Sequence, residues 1–194
     1  KATYGYKNED NPGMYFYPAV QSAHILFPEE IHKIKHVLVP IGPDEDTHIR
    51  ICRDLASRFN YNKPSILHVK FLPGIDGKKM SKSKNNAIFL HDSEPEIKKK
   101  INKSFSGGQK TIEEHRKKGG NSEIDVSCLY LKYLFLDKKE SEKLFEDYRK
   151  GKILTSEVKK LFTEKTLEFI KEFQSNLKKI KDSDVEKSIL KNMF

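Results

Sequence analysis

Apolar residues follow two different rhythms along this chain. Before Pro95 they form short runs set between helical spacings, and beyond it only the helical spacings remain. His36-Val37-Leu38-Val39 is a compact apolar run halted by Pro40, with Gly42-Pro43 just beyond. A run bounded by breakers in this way predicts a buried strand. Residues 44–60 then set His48, Cys52, Leu55, Ala56 and Phe59 on one side of a helix, because three- and four-residue steps return to the same face. Asp44 and Asp46 fall in its first turn, where carboxylates suit the positive end of the helix dipole. After a break at residues 60–64, Ser65-Ile66-Leu67-His68-Val69-Lys70-Phe71 predicts a second strand. Strand, helix and strand over about 35 residues make the βαβ unit of a parallel sheet. Open sheets of this kind bind ligands beyond the carboxyl ends of their strands. Residues 42–46 and 73–86 are therefore the loops where chemistry is expected.

In the second half, residues 155–180 carry Val158, Leu161, Phe162, Phe169, Phe173, Leu177 and Ile180 as one apolar stripe. Thr155-Ser156-Glu157-Val158 offers that helix an N-cap after Gly151. Val126, Leu129, Tyr130, Tyr133 and Leu134 mark another helix, bounded in front by Gly119-Gly120-Asn121. Two strands are fewer than a doubly wound sheet needs, so the chain is expected to begin partway through a domain.

Composition narrows the class. With 36% apolar residues, 12 Phe and 8 Tyr, the chain can bury a core, which excludes wholesale disorder. No apolar run approaches the roughly 20 residues that span a bilayer, and Lys1-Ala2-Thr3-Tyr4-Gly5 opens no signal peptide. A soluble, intracellular protein with no membrane partner is expected. Cys52 and Cys128 make no disulfide framework, and the seven histidines show no zinc-ligand spacing. The net charge of +9 is uneven. Residues 1–94 hold 13 Lys and Arg against 11 Asp and Glu, and residues 95–194 hold 24 against 17. A basic half suggests an anionic partner, nucleic acid first. Yet 32 of the 37 basic residues are Lys, and a solvated lysine-rich surface gives the same balance. Charge alone leaves both readings open.

The loop after the second strand reads Gly74-Ile75-Asp76-Gly77-Lys78-Lys79-Met80-Ser81-Lys82-Ser83-Lys84-Asn85-Asn86. Two glycines, two hydroxyls and four lysines suit a loop that closes on phosphate, since Lys is a compact charge on a flexible stem. A solvated basic loop has the same composition. What separates the two is Lys79-Met80-Ser81-Lys82-Ser83, which matches letter for letter the K-M-S-K-S signature of the class I aminoacyl-tRNA synthetases.

Further segments narrow the resemblance. Gly42-Pro43-Asp44-Glu45-Asp46-Thr47-His48-Ile49-Arg50-Ile51-Cys52-Arg53-Asp54 resembles the G-x-D-Q-D-P-H-x-R-x-T-R-D stretch of archaeal and eukaryotic-type tryptophanyl-tRNA synthetases. Phe105-Ser106-Gly107-Gly108 and Thr111-Ile112-Glu113-Glu114-His115-Arg116 are similar to the same subgroup's helical domain. Tyr17-Pro18-Ala19-Val20-Gln21 resembles the segment that supplies a glutamine to the amino-acid pocket.

The resemblance implies an α/β fold: the C-terminal part of a Rossmann-type parallel-sheet nucleotide-binding domain, residues 1–90, followed by an all-α tRNA anticodon-binding domain, residues 91–194. It implies a cytoplasmic ligase that uses ATP and Mg to activate L-tryptophan and charge tRNA(Trp), as a homodimer. Lys79, Met80, Ser81, Lys82 and Ser83 would bind ATP, with Lys79 and Lys82 stabilising the departing pyrophosphate and Met80 packing the loop. Gln21, Asp44 and Glu45 would line the tryptophan pocket. Without the resemblance, Gln21 reads as a helix-surface amide and Asp44 as a helix cap. Glu45 stands where the family has glutamine, and an ionised carboxylate accepts hydrogen bonds without donating them. No histidine lies in the family's H-x-G-H element, so the chain is expected to be the C-terminal portion of a longer enzyme and inactive alone. A tyrosyl enzyme and a non-catalytic RNA-binding module remain the alternatives.

Overall fold

A computed structural model of the chain describes residue 9 and residues 11–189. The N-terminal segment Lys1 to Gly5 lies outside the described residues. The chain divides between Phe71 and Leu72 into two compact units, earlier than the boundary expected at residue 90. The reason is local: the lysine loop is tied to helical elements. Phe105 N–H donates to the Ile75 carbonyl at 2.7 Å, and the Tyr130 hydroxyl donates to the Pro73 carbonyl at 2.8 Å.

The first unit runs α1 (Gly13–His32), β1 (Leu38–Ile41), a 3-10 turn at Pro43–Glu45, α2 (Asp46–Arg58) and β2 (Ser65–His68). The strands pair in parallel, Leu38 opposite Ser65 and Ile41 opposite His68. With α2 as their crossover they form the expected βαβ unit. Pro40 does not halt the first strand as expected; it lies within it. Ser65 N–H donates to the Val37 carbonyl and Val69 N–H to that of Ile41, so the odd-numbered residues of β1 face β2. The Pro40 nitrogen faces the other way and removes no ladder bond. The strands are also less buried than expected: Ile41 is buried, whereas Leu38 is 63% exposed, and β2 ends at His68 rather than Phe71. On α2 the buried face is His48, Ile49, Cys52 and Ala56. Phe59 follows the last helical turn as its C-cap and points outward, 65% exposed. Ile25 of α1 joins Ile41, Ile49 and Cys52 in the core. Both Pro18 and Pro28 lie inside α1, and the carbonyl of Pro18 accepts from Ser22 Oγ at 2.7 Å.

The second unit is helical after its opening loop: α3 (Glu94–Asn102), α4 (Ile112–Lys118), α5 (Val126–Tyr130), α6 (Lys138–Arg149), α7 (Thr155–Leu177) and α8 (Asp182–Ser188). Ile97, Ile101, Val126, Leu131, Tyr148 and Phe162 belong to its core. Asp125 starts α5 by accepting from Cys128 N–H at 3.1 Å, but the helix widens into a π turn at Leu131–Phe135. Val126 and Tyr130 of the expected stripe are buried and Leu129 packs against the core, but the wider turn rotates the face beyond them, so Leu131 is buried while Tyr133 and Leu134 are exposed. The N-cap of α7 is Leu154, whose N–H is held by Glu157 Oε2 at 2.7 Å. Thr155 instead turns its hydroxyl to Tyr148 Oη at 2.8 Å. The buried stripe of α7 is Val158, Phe162, Thr166 and Ile170, and Ile180 lies beyond the helix end. Phe169 and Leu177 of the expected stripe are more than half exposed. No helix among the described residues is long and apolar enough to cross a membrane.

Candidate active site

Two clusters gather the residues of interest, one in each unit. In the second unit, residues 74–78 form a tight hairpin. Gly74 N–H donates to the Lys78 carbonyl at 2.7 Å, and Gly77 N–H to the Gly74 carbonyl at 2.9 Å. Gly77 takes φ +75°, a conformation that costs glycine nothing and other residues dearly. Asp76 closes the turn by accepting from Lys78 N–H at 3.0 Å. That bond, and a second from Asn86, holds its carboxyl below the usual carboxylate range.

The signature residues follow directly. Lys79 pairs with Pro73 in an isolated antiparallel bridge. Ser81 and Ser83 share a hydroxyl contact at 2.8 Å, and Lys82 opens a 3-10 turn over Lys82–Lys84. Lys79 and Lys82 are both exposed, so their charges can meet a ligand from solvent. Met80 is 39% exposed. The residue that packs inside the loop is Asn86, only 4% exposed. Its Nδ2 donates to Asp76 Oδ1 at 2.8 Å and to the Lys79 carbonyl at 3.1 Å. Its Oδ1 accepts from Ser81 N–H at 2.8 Å. Nothing in the local composition distinguishes this asparagine from Asn85 beside it.

In the first unit the expected pocket residues come from α1 and the start of α2. Gln21 Nε2 donates to Glu45 Oε2 at 3.0 Å, and Gln21 Oε1 meets His48 Nδ1 at 2.9 Å. The Tyr17 ring lies 5.3 Å from that of His48 at a 47° tilt. Gln21 is therefore no free surface amide: both ends are engaged. Its orientation is set by its partners, since a carboxylate cannot donate and Oε1 cannot. His48 thus presents Nδ1–H to Gln21. It is buried on the core face of α2, as its spacing indicated, but its link to Gln21 crosses 27 residues of sequence and leaves no local trace.

Asp44 sits in the 3-10 turn before α2, half-buried, and does not cap the helix. A Cβ on Gly42 would stand 2.7 Å from Asp44 Oδ1 and 2.5 Å from the Phe71 ring, so a larger residue there would have to displace both side chains. Asp46, the first residue of α2, bonds Arg50 at 2.8 Å and His68 at 3.1 Å. The Arg50 bond in particular holds its carboxyl below the usual range. Among the described residues no three His, Cys, Asp or Glu side chains cluster to hold a metal.

Residues 11–171 match the family of class I tRNA synthetases for tryptophan and tyrosine (W and Y). The chain belongs to that family. This class I synthetase chain is 40% identical to the tryptophan–tRNA ligase of Methanocaldococcus jannaschii, over 96% of itself and 53% of that protein. It is 39% identical to the human cytoplasmic tryptophan–tRNA ligase, over 96% of itself and 41% of that protein. Its fold superposes on the tryptophanyl-tRNA synthetase of Giardia lamblia with TM-score 0.83 and 34% identity, covering 98% of this chain and 55% of that one. The chain thus spans about half the length of the relatives it matches, and the α/β class with a Rossmann-type βαβ unit is the family's.

Proposed function

We propose that this chain serves a tryptophan–tRNA ligase. The observation that carries the reading is the Lys79-Met80-Ser81-Lys82-Ser83 loop, in a chain whose relatives at about 40% identity bear that name. In the reaction proposed, a carboxylate oxygen of L-tryptophan attacks the α-phosphorus of ATP. The bond to the β-phosphate oxygen breaks, and pyrophosphate leaves with the negative charge. Lys79 and Lys82 meet that growing charge, which suits two exposed ammonium groups on a short loop. Ser81 and Ser83 add hydroxyl donors, and Met80 lines the phosphate path. A Mg ion bound with ATP would neutralise part of the same charge.

The pocket proposed for tryptophan is built on Gln21, Asp44 and Glu45. Glu45 can accept from the substrate ammonium, while the remaining N–H of Gln21 can serve the substrate. The acyl group would then pass to tRNA(Trp), with the basic surface of residues 91–194 receiving the anticodon arm. Residues 1–90 would supply the nucleotide-binding part, in a cytoplasmic homodimer. The test is pyrophosphate exchange by a complete synthetase that contains this chain. Exchange that depends on tryptophan and ignores tyrosine supports the reading; dependence on tyrosine, or on neither, contradicts it.

A further inference from the structure

The signature loop is held from within by one buried amide. Asn86 donates twice and accepts once, and each partner is of fixed character. The Asp76 carboxylate and the Lys79 carbonyl only accept, and the Ser81 N–H only donates. The side chain therefore has one productive orientation. Its partners span both limbs of the loop: Asp76 in the hairpin, Lys79 and Ser81 in the signature. The asparagine backbone adds a fourth tie, its carbonyl accepting from Ile75 N–H at 2.7 Å. Gly74 is shaped for this seat, because a Cβ there would stand 2.4 Å from Asn86 Nδ2 and 2.8 Å from the Asn86 carbonyl.

We infer that Asn86 is a positioning residue for phosphate chemistry, setting where Lys79 and Lys82 stand by gripping the loop between them and on either side. This rests on the proposed role of the loop in ATP activation. The grip reaches the backbone of Lys79 directly and that of Lys82 through Ser81, its chain neighbour. Without it, the lysines keep their charge and lose their placement. Misplacement of a catalytic group by about 1 Å costs on the order of a hundredfold in rate, whereas substrate binding at Gln21 and Glu45 does not depend on it.

Hydrogen exchange on the 194-residue chain reads the grip without any substrate. In Asn86→Ala, the Ser81 amide loses its acceptor and should exchange about tenfold faster or more. The Ile75 amide, held by a backbone carbonyl, should stay protected and shows that the loop still folds. In a complete synthetase containing the chain, Asn86→Ala should lower kcat for pyrophosphate exchange about 10- to 100-fold, with the tryptophan KM unchanged. Asp76→Ala, at an exposed position, removes one of the amide's partners and leaves its bonds to Lys79 and Ser81 in place, and should give a smaller loss of the same kind. Ser81 exchange unaffected by the alanine, or kcat at the wild-type value, overturns the proposal. Lys82→Ala separates the two levels: if it lowers kcat and Asn86→Ala does not, only the positioning role falls. If neither lowers kcat, the reading of the loop falls as well.

Discussion

The loop and the amide cluster meet the same design problem in opposite ways. The loop is assembled within residues 73–86, from a hairpin, a 3-10 turn and one asparagine. The cluster draws Gln21 from α1 and Glu45 and His48 from the start of α2, joined over 24 and 27 residues. The loop leaves its lysines exposed on flexible stems, while the cluster fixes an amide between a carboxylate and an imidazole. In the reading proposed above, the first arrangement suits charge that appears only as pyrophosphate departs. The second suits a ground-state ligand whose shape does not change.

Lys82→Ala breaks the loop side of this contrast and carries the largest expected effect. Removing one preorganised charge from a transition state costs about 10²- to 10³-fold in kcat, read by pyrophosphate exchange in a complete synthetase containing the chain. Glu45→Gln sharpens the pocket side. It supplies a donor toward the substrate carboxylate and removes the charge that accepts from the substrate ammonium, so the tryptophan KM should change. One hydrogen bond to a charged group is worth about 1.5–3 kcal/mol, roughly tenfold to a hundredfold in affinity. An unchanged KM would place Glu45 outside the pocket.

The smallest effect is expected from pH. The Asp76 carboxyl is lowered first by Lys78 N–H and then by Asn86. A group lowered on folding stabilises the folded form above the ordinary carboxylate range and loses that contribution as pH falls through its lowered value. The hairpin should therefore loosen only in acid below the usual carboxylate range. A carbon-detected titration of Asp76 should show this midpoint, and a midpoint at the ordinary value would mean that the turn bonds are absent in solution.

The same contrast explains how much the sequence disclosed. The βαβ unit was legible because breakers and apolar runs are local, and the signature loop because its five residues are contiguous. Helix positions were legible where spacing alone decides burial, as at Val158 and Phe162. Spacing failed where tertiary geometry intervened. The π turn rotated Tyr133 and Leu134 outward, and Thr155 gave up capping for a bond to Tyr148. Pro40 reads as a strand end only if the side its nitrogen faces is unknown. The links made by His48 and Asn86 escaped notice for one reason: the partners are distant in sequence or buried beneath a loop, and neither spacing nor composition records a partner.

The proposed split between pocket and loop is tested most directly by measuring both constants for Lys82→Ala and Gln21→Ala in one exchange assay. A change that affects only the transition state lowers kcat, and one that removes uniform binding raises KM. Lys82→Ala should lose kcat with the tryptophan KM held, and Gln21→Ala should raise the tryptophan KM with kcat held. Equal shifts of both constants in both variants, or the reverse assignment, would contradict the account.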